Sequence, residues 1–174
     1  LFKKIMNIEG SIIECGVWNG GGVLAWGKLS EIFEPYAIKR KIIGFDTFEG
    51  FPNVHDKDKE GTHNPNVIQG AFKTASSTYD EILSSIKTFN NERYLNQFNK
   101  IELVKGNAIN TIPDFMNTNK HLIVALLFLD FDIYEPTRVA LKTILPRMPK
   151  GSILAFDEIN NAGWPGETLA LVEE

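Results

Sequence analysis

The amino-acid sequence predicts an α/β protein with a doubly wound, mostly parallel sheet and helices on both faces. Short apolar runs of strand type alternate with amphipathic helical segments along the chain. Neighbouring parallel strands need a connection long enough to return over the sheet, and each helical segment supplies one. The run at 122–132 is apolar at successive positions until Asp130, which is typical of a central strand covered on both faces.

The predicted elements follow one another in a regular order. Five apolar runs predict strands at 10–17, 41–46, 100–107, 122–132 and 151–159. Helices are predicted at 22–34, at 76–89 with Ser76 or Ser77 as the cap, at 111–118, at 135–146, and from about 165, with Pro165 just inside the start. Residues 47–75 are rich in Gly, Pro, Asn, His and charge, and they predict a lid, a binding loop or disorder.

Composition limits the function classes. The chain has 174 residues, is 43% hydrophobic, and carries a net charge of −4, so we expect a single domain over 1–174 and no nucleic-acid partner. Cys15 has no intramolecular disulfide partner, and no apolar run reaches the roughly 18 to 20 residues of a membrane span. We therefore expect a soluble, cytoplasmic protein. The chain begins at Leu1 and stops within a helical pattern, "LALVEE", so we expect a fragment of a longer protein, cut at both ends.

A glycine-rich loop follows the first predicted strand in "IIECGVWNGGG" (12–22). Gly16 allows a sharp turn, and Gly20 to Gly22 allow backbone N–H groups to approach a ligand closely. A tight turn without any ligand is the alternative, and Glu14 favours a ligand. An acid beside this loop suits the cationic end of S-adenosylmethionine and is unfavourable beside the pyrophosphate of NAD.

Two further strand ends carry groups suited to an adenosine. Asp46 ends the second predicted strand, where a carboxylate accepts hydrogen bonds from ribose hydroxyls in either cofactor class. Asn107, in "KGNA" (105–108), lies after the third strand, near where an adenine edge would lie, although it is equally ordinary as a loop cap.

Four acidic residues follow the fourth and fifth predicted strands, at Asp130, Asp132, Asp157 and Glu158. Carboxylates this close repel one another, and a cation among them relieves the repulsion. Oxygen ligands favour Mg²⁺, Mn²⁺ or Ca²⁺ over zinc. The alternative is that single acids cap helices. We assign Asp130 and Asp157 to a metal, and we predict that Asp132 caps the helix that starts near Glu135.

The remaining candidates are aromatic and histidine side chains. His55 and His63 lie in the long loop, where either could be a general base that loop closure brings to the site, although solvated loop histidines are commoner. Trp18 and Trp164 flank the proposed site and could stack on adenine or line an acceptor pocket, and structural packing is an equal alternative.

Four motifs in order, "IIECGVWNGGG", "GFDTFEGFP", "LDFDIYEPT" and "LPRMPKGSILAFDE", resemble the macrocin O-methyltransferase (TylF-like) family. The resemblance covers about residues 10–170. It implies a Rossmann-like class I methyltransferase that uses S-adenosylmethionine and a divalent metal, with Mg²⁺ expected, to methylate a deoxysugar hydroxyl. By similarity to catechol O-methyltransferases, it also implies Asp130, Asp157 and Glu158 as metal ligands. The longer side chain of Glu158 departs from the usual Asp or Asn.

The sequence therefore predicts metal-assisted O-methylation of a sugar or sugar nucleotide, with Asp130, His55 and His63 as catalytic candidates. An NAD(P)-dependent oxidoreductase and a non-catalytic adenosine-binding module stay open as alternatives. A homo-oligomer is also open. The predicted cofactor-binding residues are Glu14, Gly16, Val17, Trp18, Gly20, Gly22, Asp46, Thr47, Asn107 and Ala108.

Overall fold

A five-stranded parallel sheet forms the centre of the computed structural model, which describes residues 1–174. The strands are β1 (Ser11–Cys15), β2 (Ile42–Asp46), β3 (Ile101–Lys105), β4 (Val124–Leu129) and β5 (Ile153–Phe156). They lie in the order β3-β2-β1-β4-β5. All four neighbouring pairs are parallel, which confirms the predicted sheet.

Helices cover both faces of the sheet. They are α1 (Phe2–Ile5), α2 (Gly21–Phe33), α3 (Thr78–Glu92), α4 (Ala108–Thr118), α5 (Tyr134–Ile144) and α6 (Pro165–Glu173). Adjacent strand residues point to opposite sides of the sheet, so each face has its own apolar cluster. Ile12 packs with side chains of α1, α2 and α3, whereas Ile13 packs with side chains of α4, α5 and α6. None of the helices has the length and apolar character needed to cross a membrane.

The start of α4 and the presence of α1 differ from the predicted elements. Helix α4 begins at Ala108 and not at 111, because the Asn107 side chain accepts a hydrogen bond from the Ile109 N–H and caps the helix there. The short helix α1 is not predicted from the sequence, since four residues are too few to show a periodic pattern.

The prediction that Asp132 caps α5 is wrong. The N-cap of α5 is Ile133, and Asp132 lies one residue before this N-cap, with φ of +62°. The first helical N–H, that of Tyr134, donates instead to Asp58 Oδ1 at 2.6 Å. Asp58, in the long loop 47–75, therefore caps α5 in place of Asp132.

The long loop 47–75 closes on itself at its base. Phe51 N–H donates to Ala71 O at 3.0 Å, and Gly70 N–H donates to Phe51 O at 2.9 Å. Gly50 has φ of +80°, and a Cβ there would lie 2.4 Å from Ala71 O, so only glycine fits this base. The loop contains one 3₁₀ turn, Asp56–Lys59.

Candidate functional site

A crevice of about 410 Å³ lies at the carboxyl edge of the sheet. Backbone bonds align the strand ends there: Asp130 N–H donates to Cys15 O at 2.8 Å, and Gly106 N–H donates to Asp46 O at 2.9 Å. The strand order reverses between β1 and β4, and open α/β sheets bind ligands at such a switch point. This crevice is therefore the candidate functional site.

Asp46 anchors the glycine-rich loop after β1. Its Oδ2 accepts hydrogen bonds from the N–H groups of Val17 and Trp18, both at 2.8 Å. Its Oδ1 accepts a 2.6 Å hydrogen bond from Phe48 N–H. Asp46 also lines the crevice, so one carboxylate fixes the loop and faces the ligand space.

Gly16 lies against the backbone of Asp130, at the ends of β1 and β4. Its φ is +92°, and a Cβ on it would lie 1.9 Å from the carbonyl oxygen of Asp130. No side chain fits between the two strand ends without moving one of them. Glycine at this position brings the loop after β1 against the acid after β4.

Glu14 lies behind the glycine loop and does not line the crevice. The side chain is buried, and a Cβ on Gly22 would lie 2.3 Å from its Oε1. Burial raises the pKa of Glu14 to about 8, although the nearby Trp26 indole N–H and Val23 N–H partly oppose the rise. Neither Glu14 Oε2 nor Trp26 Nε1 completes a hydrogen bond. Glu14 is thus a buried carboxyl group whose Oε2 has no hydrogen-bond donor.

The crevice contains only some of the predicted cofactor-binding residues. Those lining it are Gly16, Trp18, Asp46, Thr47, Asn107 and Ala108. Those outside its lining are Glu14, Val17, Gly20 and Gly22, which shape the loop and the start of α2 behind it.

The four acids predicted to follow β4 and β5 all line the crevice: Asp130, Asp132, Asp157 and Glu158. We call these four residues the rim acids. Burial, together with the charges of Asp157, Glu158 and Asp46, raises the pKa of Asp130 to about 6. Burial and the charges of Asp130, Glu158 and Asp157 raise the pKa of Asp132 to about 7. No three acid, histidine or cysteine side chains are gathered closely enough to hold a metal ion in this conformation.

The long loop contributes His55 but not His63 to the crevice lining. His55 Nδ1 accepts a hydrogen bond from Lys57 N–H at 3.2 Å, which caps the 3₁₀ turn. A neutral His55 therefore carries its proton on Nε2. In this tautomer Nε2 can donate a hydrogen bond but cannot accept a proton.

Three aromatic rings that line the crevice pack against one another. Phe51, Phe72 and Trp164 pack with centroid separations of 5.4 Å (Phe51 and Phe72), 5.9 Å (Phe51 and Trp164) and 5.7 Å (Phe72 and Trp164). Two rings come from the long loop and one from the segment before α6. We call these three residues the aromatic wall.

Two buried acids at the site were not predicted from the sequence. Asp58 is 1% exposed and binds the N–H groups of Tyr134 and His55, and Glu167 is fully buried beside the rim acids. Burial raises the pKa of Glu167, and the N–H groups of Glu158, Asp132 and Phe131, which donate to its ionised form, oppose this rise. The sequence does contain a signal that Glu167 is buried, since it lies three residues before Ala170 and therefore on the apolar side of α6. For Asp58 the sequence offers none.

Comparison with known proteins identifies the family. The family model described as macrocin-O-methyltransferase (TylF) matches residues 3–165. This chain belongs to the macrocin O-methyltransferase family. The match confirms the resemblance carried by the four sequence motifs, and the family is one of sugar O-methyltransferases, which leaves the oxidoreductase alternative without support.

Several members of the methyltransferase fold are similar to this chain. A Streptomyces olivaceus enzyme, 8-demethyl-8-(2,3-dimethoxy-α-L-rhamnosyl)-tetracenomycin-C 4′-O-methyltransferase, is 26% identical over 156 residues, 87% of this chain and 53% of that enzyme. A crystal structure of CalS11, a calicheamicin methyltransferase, is 34% identical with a TM-score of 0.94, over 99% of this chain and 66% of that one. An apo structure of CalS11, described as a TDP-rhamnose 3′-O-methyltransferase, is 28% identical with a TM-score of 0.82, over 99% of this chain and 65% of that one.

The O-methyltransferase NovP shares the fold alone, at 21% identity and a TM-score of 0.70, over 96% of this chain and 63% of that one. The chain spans about half the length of the curated relative and just under two thirds of the CalS11 and NovP chains.

Proposed function

We propose that this chain transfers a methyl group from S-adenosylmethionine to a hydroxyl group of a deoxysugar or sugar nucleotide. The observation that carries the proposal is the crevice at the β1–β4 switch point, which is lined by an anchored glycine loop, by the rim acids and by the aromatic wall. Family membership and the sugar methyltransferases similar to this chain support the same activity.

The glycine loop, Asp46 and Asn107 form the proposed cofactor side of the crevice. A carboxylate has about four acceptor positions, and the three N–H donors to Asp46 leave room for a ribose hydroxyl. Asn107 and Trp18 also line the crevice, and an amide and a ring face suit adenine. Glu14 acts from behind the loop, because a cationic amino group in front of the loop favours the ionised carboxylate.

A divalent cation fits the chemistry of the rim. Asp130, Asp157 and Glu158 offer only oxygen donors, and the repulsion between them is relieved by a cation. We therefore propose that these three residues hold Mg²⁺, which would act as a Lewis acid on the acceptor hydroxyl. Since no three acids are gathered at binding distance, the proposal requires their side chains to move together on binding.

The transfer step is a displacement at the sulfonium methyl carbon. When bound, S-adenosylmethionine would supply that electrophilic carbon: the carbon–sulfur bond would break as the carbon–oxygen bond forms, and S-adenosylhomocysteine would be the leaving group. We assign the hydroxyl proton to the carboxylate oxygen of Asp130 that the cation would leave free; the backbone of Asp130 adjoins the cofactor loop at Gly16. His55, with its proton on Nε2, donates a hydrogen bond to the acceptor and does not take the proton.

The aromatic wall is the proposed acceptor side. Deoxysugars present an apolar face of C–H groups and a methyl group, and such faces pack against aromatic rings. Phe72 and Phe51 belong to the long loop, so a bound sugar would contact the loop directly. Closure of this loop would also keep water from the reacting atoms.

Transfer of labelled methyl groups tests the proposed function. The chain is incubated with methyl-labelled S-adenosylmethionine, Mg²⁺ and a panel of deoxysugar nucleotides, and the product is identified by mass spectrometry. We expect a mass gain of one methyl group on at least one sugar. S-adenosylhomocysteine binding without transfer to any member of the panel would favour the non-catalytic adenosine-binding module.

A further inference from the structure

Glu167 connects the two loops that carry the rim acids. Its Oε1 accepts hydrogen bonds from the N–H groups of Phe131 and Asp132, at 3.1 and 3.2 Å, in the segment after β4. Its Oε2 accepts a 3.2 Å hydrogen bond from the N–H of Glu158, after β5. One fully buried carboxylate thus binds three backbone donors from two separate segments.

Capping of its own helix does not explain this arrangement. Glu167 is the third residue of α6, a position from which a glutamate commonly bonds back to the N-cap N–H. The N-cap here is Trp164, and its N–H donates to Asn161 O instead. The carboxylate of Glu167 points across to the neighbouring strand ends, away from the end of its own helix.

The segments that Glu167 binds need an external support. Asp132 has φ of +62°, a left-handed conformation that non-glycine residues rarely adopt without support from their surroundings. On the β5 side, Asn160 also has φ of +62°, and its N–H donates to Thr168 Oγ1 at 2.8 Å. The first turn of α6 therefore holds both segments in place.

We infer that Glu167 is a positioning residue of the methyl-transfer site: its carboxylate sets the separation between the segment carrying Asp130 and the segment carrying Asp157 and Glu158. The inference rests on the proposed function for the role of those acids. Its structural part, that one side chain orders two loops, stands separately and can be measured separately.

The variant Glu167→Gln tests the inference, because an amide keeps the size of the side chain and loses one acceptor oxygen. Its NH₂ group must face at least one of the three N–H donors. We expect faster hydrogen exchange in peptides covering 129–133 and 157–160, with exchange elsewhere unchanged. We also expect kcat to fall about tenfold or more, as it does for residues that orient metal ligands without binding the metal themselves. The affinity for S-adenosylhomocysteine should stay within about twofold of that of the parent.

Glu81→Gln is the control, since Glu81 is an exposed acid on α3 whose side chain makes no hydrogen bond. A second variant, Glu167→Asp, keeps both acceptor oxygens on a shorter side chain. We expect it to fold like the parent and to show the same local increase in exchange.

The outcomes separate the inference from the proposed function. Parent protein without any methyl transfer would contradict the proposed function, and local exchange would still decide whether Glu167 orders the loops. Unchanged exchange at 129–133 and 157–160 in both variants would overturn the inference. So would an increase spread evenly over the sheet in both variants, because that would make Glu167 a general stabilising residue. Local loosening with normal kcat in an active enzyme would also overturn it.

Discussion

At the scale of single residues, the buried carboxyl group of Glu14 links stability to binding. The pKa of about 8 in the folded chain lies above the ordinary value of 4.5, mainly because of burial. A group with a raised pKa stabilises the fold below its unfolded pKa, and this contribution is lost as the pH rises through the folded pKa. Between about pH 4.5 and 8, ionisation of Glu14 therefore works against folding.

Replacing Glu14 with glutamine tests this link. For the parent we expect thermal stability to fall between pH 5 and 8, and we expect Glu14→Gln to weaken this loss, because the amide does not ionise. The same variant should bind S-adenosylhomocysteine more weakly, since the negative charge behind the loop is gone. Thermal midpoints across this pH range and calorimetric titration measure the two effects. Glu102→Gln, an exposed acid on β3, is the control, and an equal pH dependence in parent and Glu14→Gln would contradict the account.

Gly16 offers a second test at this scale. Alanine there meets both a φ of +92° and the Asp130 carbonyl oxygen at 1.9 Å, so we expect Gly16→Ala to lower the free energy of unfolding by about 2 kcal/mol or more. Gly21→Ala is the matched control in the same segment. Gly21 lies in α2 with nothing within 4 Å of a new Cβ, and alanine should be neutral or stabilising there. Urea denaturation compares the two, and equal stabilities would contradict the close approach of β1 and β4.

At the scale of elements, the long loop 47–75 is fastened to the helix layer by Asp58. Its carboxylate caps α5 through Tyr134 N–H, and it binds His55 N–H at 2.8 Å within the loop. Gly166 makes room for it, because a Cβ there would lie 2.2 Å from Asp58 Oδ1. Asp58 thus caps α5 and also fastens the long loop 47–75 to that helix.

Removing this tether should loosen the loop and weaken the helix together. We expect Asp58→Ala to cost about 1 to 2 kcal/mol, as other helix caps do, and to speed cleavage by a protease within 47–75. Asp56→Ala, an exposed neighbour in the same turn, is the control. Thermal unfolding and limited proteolysis followed by mass spectrometry measure both effects. A stable variant with a protected loop would show that the tether lies elsewhere.

The strands, the order of the helices and the strand ends that form the crevice are predictable from the sequence. Apolar runs indicate where a chain is buried, and the polar residue that ends each run, such as Asp46 or Asp130, marks the carboxyl edge. The cross-chain contacts of the site are not predictable in this way. The Asp58 to Tyr134 bond joins residues 76 positions apart, and no local pattern encodes it.

The failed prediction for Asp132 has the same cause. A local rule places a capping acid just before a helix, but here the left-handed backbone of Asp132 directs its N–H to Glu167, and a distant side chain supplies the cap. The predicted metal ligands and the general base stay predictions, because their roles depend on molecules that bind in the crevice.

At the scale of the whole molecule, the cofactor side and the rim should respond differently to metal. We expect S-adenosylhomocysteine to bind with and without a chelator, and we expect methyl transfer to need Mg²⁺. Asp130→Asn should weaken Mg²⁺ binding about tenfold or more, because it removes a charged ligand. Asp132→Asn is the control, since asparagine tolerates the left-handed conformation. Full methyl transfer in the presence of chelator would contradict the metal assignment.

The central claim is that the crevice at the β1–β4 switch point binds S-adenosylmethionine. Hydrogen exchange of the full chain with S-adenosylhomocysteine, run beside the same experiment with NAD, tests it most directly. The account predicts slower exchange at 14–22, 44–48 and 105–109 with S-adenosylhomocysteine, and no change with NAD. Protection by NAD at these segments, or protection by S-adenosylhomocysteine only at other segments, would contradict it.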